Sequence, residues 1–503
     1  MTEWRCETLR RCGHIGEAGE TGETNDVDEP KSDGRSFKPL DSLTQAMRLD
    51  EYFEEVERDT AADRRRLIED KSYAIVEYLE DVERQFESKV DGNSIFGSTA
   101  PTIFVGRSNY PQVSTGVLSP LGHEERAADF ETGGHWYERD FSIEDVFQHR
   151  TGLLNSTRAT DVRSVGSSDG RGSTDSTGSI GSASGAGSIG SIGTGGSVAD
   201  AWNGFLGVQR EVAIADRPVD VEIGLEGKLN LDLDVSRTDV STPTGPRAPA
   251  RSATLGENPH VPRAVEKTLS DDDWQATGAM NYLYNRGFDV YDIKTILSAG
   301  ALGTTDQRRL VPTRWSITAV DDTVGNYLRG GIKNTPSVDE TEVYYNDFLG
   351  NRFWVILTPG QWEFELVELK APGSIWNPDS ERYWLTSDHE GYEGRTQYVE
   401  ETAGAYHAAR LGALEHLRER DRQATVLVLR HVTSDYWGPA GVWQVRETVR
   451  HAFDEEPGTA ETFQGAIGEL SPRLPVSMAD LRRKSHLVAG LQAQLSDFPT
   501  KVA

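Results

Sequence analysis

Cysteine is almost missing from this 503-residue sequence: Cys6 and Cys12 are the only two. Two thiols cannot build a disulfide framework, which excludes the small, stapled secreted folds. Long hydrophobic runs are missing as well. No stretch approaches the roughly 18–20 apolar residues of a membrane span, and the polar, acid-containing start from Met1 to Glu20 is no secretory signal. A soluble, cytoplasmic protein is expected, with no membrane partner. Lysine is the third scarcity. Of 52 cationic residues, 11 are lysine and 41 arginine, against 81 acids and a net charge of −29. Phosphate-binding proteins are usually basic, so this charge first argues against nucleic acid. The arginine-for-lysine bias changes that reading. It is a halophile's composition, and in molar salt the Debye length is about 3 Å, so net charge says little about partners. The hydrophobic fraction, 36%, lies below the usual ~45–50% of a globular domain, so part of the chain is not core.

Residues 1–46 are rich in Gly, Glu, Asp, Thr and Ser, lack apolar periodicity, and read as disordered. Folded texture opens at Met47, where Leu49, Tyr52, Phe53 and Val56, then Ile68, Ile75, Val76, Leu79, Val82 and Phe86, recur at helical spacing. A start at Met47, with residues 1–46 a mis-assigned extension, is the expectation. Residues 164–197 are almost wholly Ser, Gly, Thr, Ala and Ile and read as a disordered insertion within a domain. Residues 212–235 alternate like strands, 238–263 look like loop, 274–300 look helical, and 311–328 mix a strand with a helix start. From Glu342 to Lys370 three strand signals follow one another, with turns at Leu349-Gly350-Asn351 and Pro359-Gly360, as in an antiparallel meander. The sum is an α+β fold with amino-terminal helices, mixed strands and disordered termini. Its expected divisions are 47–345, 346–470, and a tail from 471 to 503.

Chemistry-bearing patterns are few. There is no phosphate-binding loop, no G-x-G-x-x-G after a strand and no G-x-S-x-G. Cys6, Cys12 and His14 do not complete a tetrahedral zinc site. The histidines, His389, His407 and His431 among them, show no ligand spacing and read as structural or surface residues. No metal or other cofactor is expected on these grounds. Glu368 and Lys370 share a strand face, which is half of a metal-dependent nuclease arrangement; Asp347, Glu363 or Glu365 could supply the second carboxylate to a Mg²⁺ ion. A solvated face with cross-strand charge pairs is the other reading of the same residues. Arg107, Arg308, Arg309 and Arg314 stand beside turns and the aromatics Tyr110 and Trp315. Such arginines contact phosphates or serve as buried ion-pair partners in an acid-rich chain.

The sharpest local pattern is at the carboxyl end. Gln492, Leu495 and Phe498 have the spacing of a sliding-clamp-binding peptide. Steps of three suit a single 3₁₀ turn, in which i and i+3 eclipse. Leu495 and Phe498 then project together as an apolar plug, with the Gln amide beside them as donor and acceptor. A terminal helix that packs a Leu and a Phe is the alternative. Pro499 stands where many such peptides carry a second aromatic, which reduces the apolar area available.

Three segments carry a family resemblance: 101–113 (PTIFVGRSNYPQV, with Gly116 and Pro120), 308–322 (RRLVPTRWSITAVDD) and 404–411 (GAYHAARL). Together they resemble the archaeal Nre proteins, a two-part family, from about Met47 to the end apart from the Ser/Gly insertion. The resemblance implies DNA damage repair alongside nucleotide excision repair, with a functional link to an excision-repair nuclease. It also implies binding to the sliding clamp (PCNA) through a peptide that falls here on Gln492, Leu495 and Phe498. Many members carry an amino-terminal zinc-type cysteine cluster; Cys6 and Cys12 do not reproduce its spacing, so zinc is not carried over. No catalytic residue comes with the family, and Mg²⁺ enters only under the nuclease reading of Asp347, Glu368 and Lys370.

Overall fold

The computed structural model describes residues 94–120, 124–162, 204–226, 245–378 and 380–491, together with the backbone of Met47–Arg48. The amphipathic segment that follows Met47, the Ser/Gly-rich insertion and the peptide Gln492–Leu495–Phe498 lie outside the described residues.

The chain order opens with β1 (Met47–Arg48), β2 (Ser94–Thr99), β3 (Ile103–Val105) and β4 (Gln112–Pro120), then α1 (His135–Glu138) and α2 (Ile143–Thr151). After β5 (Leu153–Asp161) come α3 (Phe205–Ala213), β6 (Val219–Leu225) and β7 (Arg247–Leu255). A six-stranded mixed sheet results, in the order β2-β6-β7-β5-β4-β3. Local chemistry explains much of this. Ser142 and Asp145 form a reciprocal capping box that starts α2. β7 forms where a loop is expected, because Ala248, Ala250 and Ala253 are buried along it between β6 and β5. The strand-like stretch from 212 instead begins with the end of α3, and among its described residues Val219–Leu225 form the paired strand.

Four helices follow: α4 (Arg263–Ser270), α5 (Ala276–Tyr284), α6 (Val290–Ser298) and α7 (Thr313–Ile332). The helical stretch expected from 274 to 300 is two helices. Gly287, with φ of 87°, turns the chain between them, and an Asp289–Asp292 capping box opens the second. Residues 313–332 are one helix with no strand. Val320, Val324, Leu328 and Ile332 are all buried at a spacing of four, and that periodicity overrides the strand preference of the β-branched residues.

The remainder comprises β8 (Thr341–Phe348), β9 (Asn351–Thr358), β10 (Glu363–Lys370), β11 (Trp384–Glu390), α8 (Gly404–Glu419), β12 (Thr425–Val432), α9 (Trp443–Ala452), β13 (Gly458–Ala460), α10 (Phe463–Leu470), α11 (Met478–Lys484) and α12 (His486–Ala489). The seven-stranded sheet runs β1-β13-β8-β9-β12-β10-β11. β8 and β9 form the expected hairpin; Leu349 and Gly350, with φ of 52° and 68°, give the turn its left-handed pair. β9 and β10 do not pair with each other. β12 lies between them, antiparallel to β9 and parallel to β10. Its buried run from Val426 to Leu429 has apolar side chains for both faces, which suits a central position.

Residue 345 lies inside β8, and both sides of it belong to one unit, Ala46–Ala503. One face of the sheet packs against α7, α8 and α9 through Phe353, Val355, Leu366, Val426 and Val428. The other face packs against α10 to α12 through Trp354, Ile356, Val367, Leu427 and Leu429. No helix among the described residues is long and apolar enough to cross a membrane.

Candidate nucleic-acid interface

The hairpin loop between β3 and β4 meets the start of α7. The Val105 N–H donates to Thr313 Oγ1 at 2.9 Å, which fixes one segment upon the other. Within the loop the Gly106 N–H donates to Ser114 O at 2.7 Å, and the Gln112 N–H to Asn109 O at 2.9 Å. This brings Tyr110 and Trp315 together, with ring centroids 5.2 Å apart and planes inclined by 51°. Both remain open to solvent, at 48% and 45% exposure. Large aromatic rings are usually buried; a touching pair left outside offers exposed apolar ring surface that suits stacking.

Arg107 lies in the same loop, Arg314 precedes Trp315, and Arg309 lies in the segment leading into α7; all three are exposed. None of them makes an ion pair or a side-chain hydrogen bond among the described residues. Their neighbour Arg308 is different. It is buried, and donates from Nε to Gly303 O at 2.9 Å and from Nη2 to Leu269 O at 2.8 Å. Arg308 therefore ties the end of α4 to the loop before α7 and is not available to a phosphate.

Glu368 and Lys370 do share a face and form an ion pair at 3.0 Å. The rest of the nuclease arrangement is not assembled. Arg430 on β12 donates from Nη1 to Glu368 Oε1 at 2.6 Å and from Nη2 to Asn351 Oδ1 at 2.7 Å. Lys370 Nζ donates to Thr386 Oγ1 at 3.0 Å and stands 4.3 Å from the Trp384 ring centre. Both Glu368 oxygens are thus occupied and the group is buried. Burial pushes the Glu368 carboxyl up, but Arg430 and Lys370 outweigh it and hold it below the usual carboxylate range.

Asp347 corrects the expectation outright. The cross-sheet register aligns Asp347 with Arg352, His431 and Leu369, so it lies on the face opposite Glu368 and Lys370. It is also three strand spacings away, roughly 14 Å, and pairs with Arg352 at 3.1 Å. Glu363 and Glu365 alternate onto that opposite face as well. Glu365 accepts from the N–H groups of His486 and Leu487 at 2.7 and 2.9 Å, while Glu363 Oε1 contacts His389 Nε2 at 2.8 Å. No two of these carboxylates can share a metal with Lys370.

The described residues form an α+β body with two mixed sheets, a closed interior ion network and an open aromatic–arginine face. Comparison with known proteins gives the class a family. The model of the archaeal Nre amino-terminal region matches residues 67–181 and 191–377, and that of the archaeal Nre carboxyl-terminal region matches 390–498. The chain is 62% identical over 453 residues to the DNA repair protein NreA of Haloferax volcanii, covering 90% of this chain and 100% of that one. It is 35% identical to DNA repair protein NreA of Archaeoglobus fulgidus over 77% of this chain and 87% of that one. It is 31% identical to DNA repair protein NreB of the same organism, over 80% and 92%. No solved structure matches. The chain belongs to the archaeal Nre family of DNA repair proteins.

Proposed function

We propose that the protein is a repair factor that acts alongside nucleotide excision repair in a salty cytoplasm. It is held at DNA by the sliding clamp through Gln492, Leu495 and Phe498, and it receives unpaired bases on the Tyr110–Trp315 face. The observation that carries the DNA contact is the exposed aromatic pair, 5.2 Å apart, beside three arginines without a partner among the described residues. Base–aromatic stacking contributes about 1–3 kcal/mol per base and needs no long-range charge. That suits a chain of net charge −29 in a solvent where phosphate attraction is screened. Arg107, Arg309 and Arg314 supply short-range contacts to the phosphates on either side. The clamp supplies a second hold that needs no basic surface, because it encircles the duplex and the tail need only hold the clamp.

The clamp half is tested by Phe498→Ala in the full chain. Losing one apolar anchor at the centre of a peptide interface costs about 2–4 kcal/mol, or roughly 30- to 1,000-fold in affinity. The expected result is loss of clamp pull-down at an unchanged thermal midpoint. Equal capture of the clamp by the parent and the variant would overturn it.

A further inference from the structure

On the sheet face that meets the carboxyl-terminal helices, three separate segments bring metal-ligand side chains to one place. Glu363 opens β10, His389 lies near the end of β11, and His486 is the first residue of α12. Their ligand atoms all lie within 4.8 Å of one another. His389 Nε2 is 2.8 Å from Glu363 Oε1, and the His389 and His486 rings stack with centroids 4.0 Å apart.

The placement is built from outside the cluster. His389 sits opposite Glu365 in the β10–β11 register, which puts it diagonal to Glu363 on the same face. Glu365 is fully buried and accepts from Ser485 Oγ at 2.7 Å and from the His486 and Leu487 N–H groups. The backbone of His486 is therefore anchored over the sheet while its imidazole stays exposed. Glu363 and His389 are partly open, with side-chain exposures of 32% and 23%, so an ion has a way in.

We propose that Glu363, His389 and His486 form a binding site for a divalent transition-metal ion of the zinc class. Two imidazoles and one carboxylate suit zinc, nickel or iron, and exclude magnesium and calcium, which prefer an all-oxygen shell. With Zn–N and Zn–O bonds of about 2.0–2.1 Å, tetrahedral ligands stand about 3.3 Å apart. The Glu363–His389 pair is already close to that, and rotation of the exposed His486 side chain brings in the third ligand. Three protein ligands leave at least one position for water. The bound ion joins α12 to the β10–β11 edge of the sheet.

The test uses the full chain with Cys6→Ser and Cys12→Ser, so that thiols contribute nothing. Co²⁺ is titrated in molar KCl while its visible absorption is followed, with Zn²⁺ as the competitor. One equivalent of Co²⁺ is expected, with bands of a four- or five-coordinate ion that Zn²⁺ bleaches. His486→Ala is expected to weaken binding at least about tenfold. Because His486 is exposed, that variant keeps its fold, checked by its circular dichroism. A second readout is the thermal midpoint, which rises with Zn²⁺ in the parent and stays put in His486→Ala. No saturable absorption below about 100 μM Co²⁺, or equal binding by His486→Ala, would overturn the proposal.

Discussion

Two groups of cations in this molecule have opposite situations. At the ends of β10 and β12, Arg430 and Lys370 share Glu368 and are completed by Asn351 and Thr386, all five buried, with the half-exposed Trp384 ring over Lys370. Where the β3–β4 loop meets α7, Arg107, Arg309 and Arg314 stand exposed beside two exposed rings. The first group has its counter-charge and hydrogen-bond acceptors supplied from within, so it holds strands in register. The second is left to solvent or to a ligand. The lesson is that a charged residue in an acid-rich chain points outward in function only where the fold declines to pair it. The nuclease reading of Glu368 and Lys370 fails for that reason, and the DNA reading of Arg107 and Arg314 gains by it.

The contrast can be broken from either side. The largest effect is expected for Arg430→Ala, which leaves the buried Glu368 without its main cationic partner. Removing one member of such a network costs about 3–5 kcal/mol, read as a lower denaturant midpoint; an unchanged midpoint would mean that the interior network is not structural. Next comes Trp315→Ala. It is expected to weaken binding of a single-stranded oligonucleotide by about 5- to 150-fold while shifting stability by no more than about 0.5 kcal/mol. The loss persists in molar KCl because stacking is not screened, whereas the smaller loss from Arg314→Ala fades as salt rises. Full oligonucleotide affinity in Trp315→Ala would remove the platform from the comparison.

A third arginine, exposed yet paired, lies between the two situations. Arg420 bridges Glu342 in two contacts, at 2.5 and 2.7 Å, and donates to His416 Nε2 at 3.2 Å. Burial, helped by the Arg420 charge, pushes the His416 pKa down to about 4. The unfolded chain titrates near 6.5 and so binds the extra proton first. Stability is therefore full above pH 6.5 and declines as pH falls from 6.5 toward 4. His416→Phe, measured by thermal unfolding across that window, is expected to flatten this part of the decline. An identical slope in parent and variant would show that His416 does not contribute.

How much of this was legible in the sequence depends on whether the deciding contact is local. The Leu349-Gly350-Asn351 turn announced its hairpin, because two left-handed residues in a row are a property of a few neighbours. The position of β12 was not legible from its own residues, since it depends on which apolar run outcompetes the others for the centre of the sheet. Tyr110 and Trp315 each stand out in the sequence, but nothing in their spacing says that they touch. Arg308 and Arg309 are adjacent and chemically identical; only the direction each side chain takes from the turn separates a buried tie from an exposed cation. The pairing of His389 with His486 is not legible, because ligand motifs are recognised by short spacing and their meeting is a product of tertiary folding. The Gln492, Leu495 and Phe498 pattern is the converse: its spacing is wholly local, and it lies outside the described residues.

The central position of β12 has a bearing on synthesis. When residues up to 370 have left the ribosome, β8, β9 and β10 exist as sequence, yet the strand that separates β9 from β10 has not been made. At about 5–20 residues per second, roughly 3–11 seconds pass before residue 425 follows. Through that interval the apolar edges of β9 and β10 await a late arrival, and a premature pairing between them would have to be undone. Until β12 emerges, the facing edges of β9 and β10 are the part of the nascent sheet still without its native partner.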